Sequence, residues 1–220
     1  MQNYLQDDAY FDFQHPELIA YSNSLLDNDL SPKETAQRLY LGVRDDIHYN
    51  PYTFDPSAES FSASHCLLKK ESYCIPKAIL LAALCRLNGI PARIGLADVK
   101  NHLASPQFLE YLQSDVFVMH GYTDIYLEGK WVKATPAFDK RLCALMALAP
   151  LEFDGTRDSI FHEFDNNGSR HMEYLVEHGV FESVPREKII EAITNAYPHL
   201  AKKHVSDQTE RSIYSDINGH

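Results

Sequence analysis

The chain has 220 residues, 45% of them hydrophobic, and carries 31 Asp and Glu against 20 Lys and Arg, a formal net charge of −11. A core-rich chain of this length fits a single domain spanning 1–220 and excludes wholesale disorder, and its acidity argues against nucleic acid or an anionic membrane as partner, since both call for a basic surface. No basic-then-apolar leader opens the sequence, and no run approaches the roughly 18 apolar residues of a spanning helix. The four cysteines, Cys66, Cys74, Cys85 and Cys143, are too few for a disulfide scaffold, so a reducing, cytoplasmic location is expected.

In chain order, Leu18, Ile19, Tyr21, Leu25 and Leu26 predict a helix over 16–26. Ser31 then offers an N-cap, Pro32 a first helical position and Glu34 the partner of a capping box. Ala36, Leu39, Tyr40, Val43 and Ile47 continue that helix at its spacing. Asn50, Pro51 and Pro56 mark a loop reaching Glu59. The most strongly marked element runs from Cys74 to Leu87, with Ser72 read as its N-cap and Pro76 in its first turn. Its residues 79–84 and Leu87 are apolar nearly all round, the pattern of a buried helix. Asn88 and Gly89 stop it, and Pro91 prevents a restart.

Arg93 to Val99 reads as a strand. A short helical patch after Pro106 carries Phe108, Leu109, Tyr111 and Leu112. Val116 to His120 is a strand, and Tyr122 to Leu127 returns through Glu128-Gly129 into Lys130 to Thr135 as a hairpin. Residues 151–184 are mixed. Glu187 to Tyr197 is an amphipathic helix, with Ile189, Ile190, Ile193 and Ala196 on one side, and the polar tail after Lys203 reads as loose. Helices, one buried helix, then antiparallel strands give an α+β fold.

Cys74 sits at the start of the buried helix, where the positive end of the helix dipole favours a thiolate. Among the 11 histidines, His120 stands on a rigid strand that can present an imidazole to such a helix start. A nucleophile and base of this kind need a third group to orient the ring. With no basic surface to help, the helix start and His120 are expected to lower the Cys74 pKa locally.

Two stretches, YCIPKAILLAALCRLNGIPARIG and HGYTDIYLEGKWVKATP, resemble the transglutaminase-like superfamily of papain-like cysteine enzymes. The matching residues are Cys74, Leu84, Arg86, Gly89, Ile90, Pro91, Ala92, Arg93, His120, Gly129 and Trp131, and Arg44 to Tyr49 resembles the helix end that precedes this core. The resemblance covers about 36–139, with helices in 1–35 and an extension over 140–220 expected to pack on it. It implies helices on an antiparallel sheet, a catalytic Cys74 and His120, and attack on amides of a peptide or protein substrate through an acyl-thioester. Peptidase, amidase and transglutaminase outcomes all fit. No cofactor is expected.

The resemblance also implies an Asp four residues after Trp131, and that slot holds Thr135. With the hairpin turning at Glu128-Gly129, Thr135 shares the face of His120 and lies diagonal to it. Asp139, brought back if Pro136 turns the chain, ranks slightly ahead of Thr135 as the orienting group. Asp124 shares the face but lies two pairs along.

An alternative reading is a binding module that has lost catalysis. Acetyl transfer from a coenzyme ranks last, because no basic phosphate-binding cluster is present. Cys66, Cys85 and Cys143 read as structural thiols and Trp131 as a cover for the hairpin. His65-Cys66 with Cys74 lacks zinc-site spacing, so no metal is expected. Phe153 to Gly155 and His171 to Tyr174 are candidates to face the site.

Overall fold

The computed structural model describes residues 1–102, 104–160, 172–200 and 211–218. After a short 3-10 turn at Gln2–Leu5 come α1 (Pro16–Leu25) and α2 (Pro32–Asp46). The capping box of α2 is closed: Glu34 N donates to the Ser31 hydroxyl, and Ser31 N donates to the Glu34 carboxylate at 2.9 Å. The two-residue strand β1 (His48–Tyr49) follows, then α3 (Ala63–Lys69), which starts at Ser62 and ends at Lys70 in the left-handed conformation, φ 58°. Strand β2 (Glu71–Ser72) pairs parallel with β1.

Ser72 is therefore a strand residue and not the cap of the buried helix. Its carbonyl accepts from Asn50 N at 2.8 Å. Tyr73 takes the N-cap position without a side-chain hydrogen bond.

The buried helix is α4 (Cys74–Leu87), and every residue from Cys74 to Arg86 is buried. Fully burying a Leu or Ile contributes about 1.5–3 kcal/mol, so this one helix is a major source of stability. It ends in a Schellman motif: Ile90 N donates to Cys85 O at 2.9 Å and Gly89 N to Arg86 O at 3.0 Å, with Gly89 at φ +72°. Arg86 then ties distant parts of the chain together. Its guanidinium donates to Ala92 O, Gln6 O and Glu182 O at 2.9, 2.7 and 2.6 Å and stacks on Phe11.

The rest of the chain comprises β3 (Ala92–Asn101), α5 (Pro106–Leu112), β4 (Val116–Leu127), β5 (Lys130–Ala134), α6 (Lys140–Leu145), β6 (Met172–Phe181), α7 (Arg186–Ala196) and α8 (Ile213–Asn218). The four longer strands form one antiparallel sheet in the order β5-β4-β3-β6. The hairpin pairs Leu127 with Lys130 through to Thr123 with Ala134. Glu128 and Gly129 both have positive φ, 50° and 87°, as a type I′ turn requires. Helix α4 lies against β4, where the Thr123 hydroxyl donates to Ala78 O at 2.8 Å. On the sheet's other face Arg93 pairs with Asp124 and stacks on Trp131 at 3.9 Å, which accounts for all three residues structurally.

Candidate active site

Cys74 opens α4, and β4 crosses directly in front of it. The approach is close enough that a Cβ on Gly121 would lie 2.9 Å from Ile75 Cα. Only glycine lets the two backbones meet this way. Backbone N–H groups of Gly121, Ile75 and Cys74 itself consequently lie near enough to the Cys74 sulfur to favour its thiolate. His120 precedes Gly121 and shares with Cys74 the wall of a cavity of about 80 Å³. His120 also borders a larger chamber of about 420 Å³, whose walls include Phe108, Phe117, Phe138, Met146 and Met172. The structure thus brings Cys74 and His120 to one cavity at the junction of helix and strand.

Electrostatics differ from the expectation of a depressed thiol. Burial pushes the Cys74 thiol up to about 11, outweighing the three N–H groups that pull it down. Burial alone pushes the His120 imidazole down to about 4. At neutral pH both groups are therefore neutral, a thiol and an imidazole on the wall of one cavity. The helix start is insufficient because Cys74 is only 8% exposed and His120 4%.

Asp139 is not brought to His120. It caps α6 by accepting from Leu142 N at 3.0 Å, and its other oxygen accepts from Tyr49 N at 2.9 Å and from the Tyr214 hydroxyl. The histidine that approaches it is His48, at 4.0 Å. The segment after β5, bent at Phe138, delivers Asp139 to the end of α2 instead, where its charge acts on Lys77. Thr135 lies just past the end of β5, its N–H bonded to Ser159 O at 2.8 Å. Its hydroxyl and His120 Nε2 are both buried without a hydrogen-bond partner among the described residues. Asp124 is held by Arg93 at 2.8 Å.

Lys77, one turn after Cys74, is a buried charge that sequence reasoning passed over. Its ammonium donates to Arg44 O at 3.0 Å and to Ile47 O, capping the last turn of α2. Burial pulls it down to about 8, with Asp139 opposing. Lysine in the middle of an apolar run was the available signal. The other cysteines are buried, their thiols pushed up to about 12 for Cys66 and Cys85 and about 11 for Cys143. Phe153 packs on Tyr40 and Gly155 on Lys33, so neither borders the Cys74 cavity. His171 lies outside the described residues, and Met172 lines the larger chamber. No group of three or more His, Cys, Asp or Glu that could hold a metal occurs among the described residues. No helix among them is long and apolar enough to cross a membrane.

The sequence matches the profile of the Transglutaminase-like superfamily over residues 19–136, more than half of its 220 residues. The chain belongs to this superfamily. The matched segment holds α2, α4, the hairpin, Cys74 and His120. Transglutaminase-like proteins share the mixed helix and antiparallel-sheet fold found here, and the superfamily is one of cysteine-based enzymes.

Solved structures similar to it include two of low identity. One is a candidate cysteine protease from Cytophaga hutchinsonii, 16% identical with a TM-score of 0.47, the match covering 81% of this chain and 53% of that one. The other is the arylamine N-acetyltransferase from Mycobacterium abscessus, 16% identical with a TM-score of 0.43, covering 60% and 46%. The chain spans about half the length of each. No curated protein matches it.

Proposed function

We propose that this transglutaminase-like protein is a cysteine-nucleophile enzyme that acts on the amide bond of a peptide or protein through an acyl-thioester. The observation that carries the reading is the convergence at one cavity of a thiol at a helix start, three N–H groups around its sulfur, and the His120 ring.

His120 takes the thiol proton as the Cys74 sulfur adds to the carbonyl carbon, and the displaced electron pair moves to oxygen. N–H groups at the start of α4 and on Gly121 hold that oxygen. As the tetrahedral species collapses, the C–N bond breaks and imidazolium protonates the leaving amine. His120 then deprotonates water, which attacks the thioester and releases a carboxylic acid and the thiol. An amine taking the place of water yields a new amide.

The neutral resting pair supports proton transfer coupled to attack, within a substrate-filled cavity, over a standing thiolate–imidazolium pair. The larger chamber beside His120 is walled mainly by aromatic and aliphatic groups, and Asp216 is its one carboxylate among the described residues. An apolar residue next to the scissile amide fits it, and an acidic one is disfavoured. Hydrolysis of an amide series with aromatic, aliphatic and acidic neighbours tests the reading. Turnover of the aromatic member, lost in Cys74→Ala and in His120→Ala while both variants stay folded, is the expected result. Equal turnover in Cys74→Ala refutes it.

A further inference from the structure

The strand that carries His120 is irregular next to that residue. The β3–β4 ladder runs in register from Ala92↔Ile125 to Ala97↔His120 and resumes at Val99↔Phe117. Asp98 therefore lies opposite two residues, Val118 and Met119, which form a β-bulge. Met119 has φ +59°, a conformation that a non-glycine residue keeps only when its surroundings hold it. A bulge frees backbone groups from the ladder, and here side chains capture them. Met119 N donates to Asp98 Oδ1 at 2.9 Å, and Val118 N donates to the Tyr197 hydroxyl at 2.9 Å. The same hydroxyl donates to Val116 O at 2.6 Å.

A second irregularity backs the first. In the β3–β6 ladder Leu96↔Gly179 is followed by Ala97↔Glu177, which leaves His178 as an extra residue beside Gly179 at φ +96°. His178 Nε2 lies 2.7 Å from the Asp98 Oδ1 that holds Met119. Val118, Met119 and Tyr197 all border the cavity that contains Cys74 and His120.

We propose that Asp98 and Tyr197 are positioning residues that hold the Val118–Met119 bulge and thereby aim His120 at Cys74, with His178 bracing Asp98. The proposal rests on the Cys74–His120 reading. It gives the chain beyond 140 a part in the site, because Tyr197 closes α7 and His178 belongs to β6. A bulge beside a functional strand residue resets the alternation of side chains, so relaxing it by one residue turns the next side chain to the other face.

The test uses the full chain and three variants: Tyr197→Phe, Asp98→Ala, and Asp98→Asn, whose Oδ1 can still accept from Met119. With each variant folded at the assay temperature, kcat on the aromatic amide falls roughly 10- to 100-fold in Tyr197→Phe and Asp98→Ala, with KM within about 2-fold. Asp98→Asn keeps kcat within about 3-fold of wild type, since its acceptor is retained. Nuclear magnetic resonance of the His120 ring supplies a readout that needs no substrate. Its midpoint rises from about 4 in the wild type towards the ordinary value near 6.5 as the released ring meets water.

Wild-type kcat in the folded variants, a loss carried by KM, an unmoved His120 midpoint, or Asp98→Asn as impaired as Asp98→Ala each overturns the proposal. Should Asp98→Ala not fold, Tyr197→Phe carries the test. Should the wild type turn over no amide, the enzymatic reading fails, and the His120 midpoint still decides whether the brace exists.

Discussion

Gly121→Ala is the smallest change that separates the two halves of the site. Its new Cβ lies 2.9 Å from Ile75 Cα, 3.1 Å from Ile75 Cγ1 and 3.3 Å from Ile75 N. Carbon atoms rest at about 3.5–4.0 Å, so β4 and α4 must part by roughly 0.5–1 Å. Two of the three opposing atoms are backbone, and a rotamer change cannot relieve them. Overpacking of this kind costs about 1–3 kcal/mol, which in a chain of this size lowers Tm by roughly 2–12 °C.

The functional loss is larger than the stability loss implies. The movement withdraws the Gly121 N–H from the sulfur and shifts His120, its neighbour. A displacement near 1 Å costs up to about 100-fold in rate. The assay is kcat/KM on the aromatic amide at a temperature where both proteins are folded, with Tm measured in parallel. Gly129→Ala is the control. That glycine, unlike Gly121, has positive φ, 87°, and nothing lies within 4 Å of its Cβ position, so its substitution costs about 1 kcal/mol of stability and no activity. A Gly121→Ala protein with kcat/KM within 2-fold of wild type and an unchanged Tm refutes the close-approach argument.

Two further predictions follow from buried polar groups. Thr135→Val removes a buried hydroxyl that has no partner among the described residues. Stability is expected to hold or to rise by about 1 kcal/mol, with kcat within 2-fold; a loss above 10-fold shows that Thr135 orients His120. Lys77→Met tests the buried ammonium through pH. Lys77 titrates near 8 in the folded chain against 10.5 for an ordinary lysine, so between those values the unfolded chain binds a proton that the native chain lacks. Wild-type stability therefore gains on the variant as pH rises through this window, by about 3 kcal/mol in full. Cysteines and tyrosines titrate in both proteins and cancel in the difference. Urea unfolding at several pH values measures it, and a flat difference contradicts the burial argument.

The parts of the fold written in local pattern were legible in the sequence. The Ser31-Pro32-Glu34 box, the apolar run of α4 and the Glu128-Gly129 turn each depend on neighbours within a few residues. Cys74 and His120 were singled out the same way, as a helix start and a strand residue, with the family resemblance joining them, and both border one cavity.

What escaped depends on distant partners. Helix α3 has only seven residues, and strands β1 and β2 have two each, so their patterns are too short to read. Ser72 has the chemistry of a cap, yet its backbone pairs with a strand more than twenty residues upstream. Asp139 was placed beside His120 by counting residues, but the carboxylate is claimed by Tyr49, Leu142 and Tyr214. The expected fall in the Cys74 pKa was reversed because the depth of burial is a property of the assembled fold. The bulge at Val118–Met119 is written in no local motif, since it exists only in the register between β3 and β4.

If the proposed chemistry holds, Cys74 carries the acyl group. Intact-mass and peptide mass spectrometry, after acid quench of the protein mixed with an activated aromatic ester, tests it most directly. One added acyl group on the peptide containing Cys74, none in Cys74→Ala, and a greatly slowed appearance in His120→Ala are expected. No adduct on the wild type, or an adduct on Cys66, Cys85 or Cys143 that persists in Cys74→Ala, contradicts it.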